Sequence, residues 1–241
     1  MYYCHMLRGT APYLFTILAV LTLSATWVRA QDTLEFQEFQ RTAGDHSALF
    51  RGRVAERHEL ITANGHPFWS TREFLPGDII VEGRPYYDVP VNIDAMTQRA
   101  LVRMSNEVLS IAFEPARVSS ISVDGHRYVG VSPGDKTLQE GFYEVIGQGP
   151  ELVYKHVSKT LSTSVDMVTG QNNGYYFDTV TRYYFRDREG RFSRFRDANG
   201  LIRHFKNRKK ELRKALRTVW PEQSDNNFDQ VCAFILDTAA R

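Results

Sequence analysis

The sequence predicts a mainly β protein, an antiparallel curved sheet, barrel or sandwich, that ends in two helices. Three observations carry this. Between about residues 48 and 196, apolar and polar side chains alternate with period two in short runs. Turn-forming pairs punctuate those runs at Pro76-Gly77, Pro133-Gly134, Gly149-Pro150 and Asn172-Asn173-Gly174. Helical spacing of apolar residues begins only after about residue 203.

The strands follow in order. Val89, Val91 and Ile93 alternate with Pro90 and Asn92, and Leu109, Ile111 and Phe113 alternate with Ser110 and Ala112. Such a period leaves one face of an antiparallel strand in the core and the other toward water. Asp124-Gly125, flanked by Ile121, Val123 and Tyr128, predicts a two-residue hairpin, because both central positions of that turn need positive φ. Further strands are expected at 141–146, 152–158, 175–178 and 180–186. The pattern lacks the apolar lipid-facing segments of about ten residues that build an outer-membrane barrel.

The late helices are expected at about 203–219 and 227–238. In the first, Phe205, Leu212, Leu216 and Val219 form one narrow stripe on a charged surface, and Pro221 stops it. The second is more apolar, with Asp225 or Asn226 as its cap. The segment 33–43, with Leu34, Phe36 and Phe39, fits helix or strand poorly and stays open between them.

The chain starts with the form of a secretory signal: Arg8, an apolar run from Tyr13 to Leu23, and Val28-Arg-Ala30 as a small-x-small cleavage site. The run is shorter than the roughly 20 residues of a spanning helix. Export with cleavage at Ala30 is therefore expected, leaving residues 31–241 as one soluble or peripheral β-rich domain. Cys4 leaves with the signal, so Cys232 stands alone, a buried apolar thiol among Phe228, Val231, Phe234, Ile235 and Leu236. It can close no internal disulfide and belongs to no zinc cage.

Charge is segregated. Residues 182–217 hold 14 Lys/Arg against 4 Asp/Glu, while the rest of the mature chain carries a matching acidic excess. Within this segment FRDREGRFSRFRDANG reads as one phrase said twice. Asp187–Gly190 has the chemistry of a four-residue hairpin turn, and Asp197–Gly200 repeats it. The wording resembles the tyrosine-aspartate repeats of secreted toxin shells, but two copies fall short of the three that a shared repeat core needs.

Candidate chemistry is sparse. Thr181, Tyr183 and Phe185 alternate with Arg182, Tyr184 and Arg186, which places an apolar face behind a cationic-aromatic one. Arg182, Tyr184, Arg186 and Arg194 would form an arginine-aromatic face for phosphates. Arg203, Lys206, Lys209, Lys210, Arg213, Lys214 and Arg217 would extend it along a helix. In an exported protein the matching partners are anionic lipid, lipopolysaccharide or polysaccharide, and not nucleic acid. The competing expectation is that the acidic remainder covers this surface and the basic side chains only solvate a helix. His46, His58, His66, His126, His156 and His204 show no close metal-ligand spacing, so no metal is expected, and no cofactor motif is present. No nucleophile elbow occurs. Glu73, Asp78, Asp88 and Asp94 lie near strand ends, where a hydrolase could place its acid and nucleophile.

A wider likeness rests on Gly65-His-Pro-Phe-Trp69, Phe74-x-x-Gly77-Asp-Ile, Gly83-Arg-Pro-Tyr86 and Val89–Ile93, followed by Tyr183-Tyr-Phe185 and the Lys206–Leu216 helix. From about residue 50 to the C-terminus the chain resembles a family of secreted proteins from Gram-negative bacteria with no assigned activity. The resemblance implies fold and export, and carries no catalytic residue over. The expected function is a non-enzymatic secreted, periplasmic or envelope protein that binds a ligand or partner through the sheet. Its sharpest form is a carrier of an anionic lipid, in which the curved sheet and the apolar C-terminal helix enclose an acyl-chain pocket beside a basic rim. The alternative is an envelope hydrolase using the strand-end carboxylates.

Overall fold

A computed structural model describes residues 38, 42–44, 47–55, 63–105, 108–132, 134, 137–165, 171–220 and 227–240. The expected signal and cleavage site lie outside these residues, as do His46, His58, Pro133, Pro221 and the proposed cap residues Asp225 and Asn226. The chain divides into two units, Met1–Ser47 and Ala48–Arg241. In the first, the Ser47 N–H closes a turn on the Gly44 carbonyl at 3.0 Å. The second unit holds the sheet and the helices.

Twelve strands form one sheet: β1 (Arg53–Val54), β2 (Ala63–Asn64), β3 (Leu75–Val81), β4 (Arg84–Asp94), β5 (Arg99–Arg103), β6 (Ser110–Phe113), β7 (Val118–Val123), β8 (His126–Val131), β9 (Gly141–Ile146), β10 (Leu152–Val165), β11 (Asn172–Arg186) and β12 (Phe192–Phe195). Their order is β1-β6-β5-β4-β3-β7-β8-β9-β10-β11-β12, antiparallel throughout, with β2 added in parallel to β11 at Tyr175 and Tyr176. The sheet does not close. Of the architectures that the sequence allows, the structure is thus the open sheet, mixed by one short strand.

Turn chemistry sets the register. Asp124 and Gly125 sit at φ 51° and 75°, and the hairpin they close pairs Val123 with His126 and Ile121 with Tyr128. Glu82 and Gly83 repeat that geometry between β3 and β4. Further along the same pair, Asp78 faces the two residues Tyr87 and Asp88. Asp88 takes positive φ, and its N–H donates to Asp78 Oδ1 at 3.1 Å. Such a bulge bends the strand and raises the local twist.

The bend lets distant strands meet. Gln98, in the β4–β5 turn, donates to the Val157 carbonyl at 2.9 Å and accepts from the Phe142 N–H at 3.1 Å. The Lys159 N–H donates to the Ala95 carbonyl at 3.0 Å. Inside this curve Ile79, Val102, Ile121 and Phe142 are fully buried with Val91, Ile111 and Phe113. Each such side chain contributes about 1.5–3 kcal/mol through burial.

Two strands run longer than the sequence suggests. β10 and β11 form one hairpin arm in which 175–178 and 180–186 are a single strand. Its outer half carries exposed Val165, Tyr175, Tyr176 and Val180.

Three helices follow rather than two: α1 (Ala198–Ile202), α2 (Lys209–Val219) and α3 (Phe228–Ala240). Asp187–Gly190 forms the expected hairpin turn, with Gly190 at φ 81° and Asp187 Oδ1 accepting from the Arg191 N–H at 2.8 Å. Its echo is different, since Asp197 caps α1 by accepting from the Gly200 N–H at 2.6 Å. The single helix expected from residue 203 is broken by turns before Lys209. The seven-residue step between Phe205 and Leu212 has a physical cause: Phe205 packs edge-on against Phe185 at 5.4 Å, while Leu212 and Leu216 belong to the α2 stripe. Val219, expected on that stripe, is exposed. On α3 the buried residues are Val231, Cys232, Ile235 and Leu236. The Cys232 thiol is fully buried, which pushes its pKa well up. Among the described residues no helix is long and apolar enough to cross a membrane.

Candidate functional site

The expected basic residues fall into two groups on opposite sides of the sheet. In the ladder Arg182 faces His156, Tyr184 faces Tyr154 and Arg194, and Arg186 faces Phe192. Residues opposite one another share a face. Arg182, Tyr184, Arg186 and Arg194 therefore lie on one side, as the alternation predicts. Phe185 and Phe195 point to the other side, into the core shared with Leu212 and Leu216. Lys206, Lys209, Lys210 and Lys214 belong to that helical layer, so the arginine-aromatic face is not continued by the lysines.

Tyr184 is also no stacking platform. It is 5 % exposed, with its ring centroid 6.0 Å from that of Tyr143 in an apolar cluster that includes Leu138. Period two places Tyr184 on the outer face but says nothing of what covers that face. Arg182 also affects its neighbour His156, which is buried with neither ring nitrogen hydrogen-bonded among the described residues. Burial and, secondarily, the Arg182 charge lower the His156 pKa to about 4.

The helical group keeps its charge open. Lys206, Lys210, Arg213, Lys214 and Arg217 are exposed, Lys209 half-buried, and none pairs with a carboxylate among the described residues. Among the described residues the ion pair on this surface is Arg208 with Glu211, at 2.9 and 2.6 Å, and Arg208 also donates to the Ala239 carbonyl, tying α2 to α3. Among the described residues no carboxylate from outside α2 pairs with its exposed cations.

The structure assembles a second polar group that the sequence does not announce. A row of cross-strand partners on the helical side runs Tyr128, Glu144, Lys155, Tyr183, Phe195 through β8 to β12. Lys155 Nζ lies 3.3 Å from Glu144 Oε2, and Asp229, in the first turn of α3, pairs with the same ammonium. The Tyr183 hydroxyl donates to Asp229 Oδ1 at 2.9 Å. His126 Nδ1 sits 2.6 Å from Glu144 Oε1, with its ring about half exposed. Burial opposes the Lys155 charge, but Glu144 and Asp229 outweigh it and hold the pKa above its usual value. Burial, then Asp229, pushes the Tyr183 phenol far up, so it stays a donor.

Of the strand-end carboxylates, Asp78 and Asp88 are neighbours across β3 and β4 and line one pocket with Asp124, of which Glu73 and Asp94 are not part. Asp94 is buried and accepts from the N–H groups of Met96 and Thr97 at 2.8 and 3.0 Å, so it holds the β4–β5 turn. Asp78 orders the bulge at Asp88. Among the described residues no three His, Cys, Asp or Glu side chains converge on a metal position.

The fold and these surfaces define an open, bent β-sheet backed at one end by a helical layer with an exposed basic exterior. Comparison with protein-family models, curated proteins and solved structures gave no match for this chain.

Proposed function

We propose that this is a non-enzymatic envelope protein that binds an anionic lipid surface through its helical layer. The observation that carries the reading is the row of exposed Lys206, Lys210, Arg213, Lys214 and Arg217, without carboxylate partners among the described residues. Leu212 and Leu216 on the opposite side of α2 are spent on the core, which fixes the basic side outward. Lysines and arginines near an anionic membrane are worth roughly 1 kcal/mol each, and the attraction decays within a Debye length. The strand arginines, lying beyond the sheet, take no part in the same contact. Export, on which the partner's identity depends, rests on the signal-like start and on the likeness to secreted proteins.

Co-flotation of the protein with phosphatidylglycerol-containing vesicles tests the reading. Binding that weakens as salt is raised is expected. Equal recovery with neutral and anionic vesicles contradicts it. Binding to an anionic polysaccharide without flotation would move the partner from lipid to glycan.

A further inference from the structure

Between the bent sheet and the first turn of α3 lies a cleft of about 520 Å³, within the size range of small-molecule sites. It is separate from the basic exterior of α2. Its lining includes Trp69 and Tyr128, whose rings meet edge to face with centroids 5.4 Å apart. The two residues are 8 % and 5 % exposed. Neither the Trp69 indole N–H nor the Tyr128 hydroxyl has a hydrogen-bond partner among the described residues, and neither atom is among the fully buried unpaired ones. Both polar atoms therefore open onto the cleft, where an acceptor of a ligand can take the place of water. Two donors, held rigid by packing and left unpaired at a cleft, are suited to acceptors supplied by a ligand.

The remaining lining sets the ligand's charge. Glu144, Asp229 and the half-exposed His126 reach the cleft beside Lys155, and Glu73 and Asp124 add carboxylates further along. Four carboxylates against one ammonium make a field that repels phosphates, sulfates and carboxylates. Thr179 and Thr181 supply hydroxyls on the β11 wall. The cleft therefore offers donors to hydroxyl oxygens at its aromatic side and acceptors to a cationic or hydroxyl-rich group elsewhere.

We propose that this cleft is a binding site for a polyhydroxylated ligand bearing amino groups, of which a short amino-sugar oligomer is the compact example. Tyr128 is its specificity-determining donor, and Glu73 and Asp124, which form no ion pair among the described residues, receive the ligand's amine.

The glucosamine trisaccharide, titrated at pH 6 and followed by tryptophan fluorescence and calorimetry, is the probe. Saturable binding with a Kd below about 1 mM is expected, and a galacturonic acid trisaccharide should not bind. Tyr128→Phe removes one hydroxyl that makes no hydrogen bond among the described residues, so its denaturant midpoint should match wild type while affinity drops about tenfold. Changing Lys206, Lys209, Lys210 and Lys214 to Gln should leave this binding unchanged, which separates its failure from failure of the lipid reading. No saturation by 10 Kd of the expected affinity, equal binding of the uronic acid oligomer, or wild-type affinity in Tyr128→Phe overturns the proposal.

Discussion

Lys155 and Glu144 face each other in register on neighbouring strands, Nζ 3.3 Å from Oε2, and Asp229 closes over the same ammonium from α3. Both strand side chains are largely shielded from water, 16 % and 6 % exposed. The pair therefore joins sheet to helix where a lost partner leaves a charge stranded. Lys155→Met should cost about 3 kcal/mol, because Glu144 stays buried without its ammonium. The double variant Lys155→Met/Glu144→Gln should cost clearly less than the sum of the singles. Denaturant unfolding of the four proteins measures this, and additive losses would show that the contact contributes no coupling.

His156 makes stability depend on pH. Its folded-state pKa of about 4 lies below the ordinary 6.5, through burial and then Arg182. Below pH 6.5 the unfolded chain takes up a proton that the folded chain refuses, so stability falls as pH drops from 6.5 toward 4 and levels off below that. The loss should be on the order of 3 kcal/mol. His66 and His204, also lowered chiefly by burial, add in the same direction. Replacing His156 by Phe should remove most of the slope in unfolding free energy between pH 4 and 6.5. An unchanged slope would mean that its ring is solvated.

Gly125→Val should destabilise the protein by about 1–3 kcal/mol. No heavy atom lies within 4 Å of the added Cβ, so the cost is backbone strain at φ 75° and not a clash. Gly125→Asn, which tolerates the left-handed region, should recover most of the loss. Denaturant midpoints of the two variants decide this. Equal losses would place the strain elsewhere than in the turn.

How much of this was legible in the sequence depends on how local each signal is. The Asp124-Gly125 hairpin could be read because two adjacent residues dictate its geometry. The full length of β10 and β11 could not, because the arm from Ser158 to Ser164 and its partner from Tyr175 to Thr179 lacks a sustained apolar face. Asp197 reads as a turn residue, and the same side-chain chemistry that makes turns caps α1. The basic residues were identifiable by composition, yet strand parity and the position of the helical layer divide them between two sides. The cleft left no sequence signal: Tyr128, Glu144 and Lys155 become neighbours only through the order and register of three strands.

The most direct measurement of the central claim is flotation of wild type and the Lys206→Gln/Lys209→Gln/Lys210→Gln/Lys214→Gln protein with anionic vesicles at two salt concentrations. Leu212 and Leu216 remain to pack α2, so the variant should unfold at nearly the wild-type midpoint. Wild type should float at low salt and be released as salt rises. The variant should lose roughly 1 kcal/mol of binding for each lysine that reaches the surface, so that most of it stays at the bottom of the gradient. Equal flotation of the two proteins, or none by wild type, would contradict the account and leave the basic exterior of α2 as solvated surface.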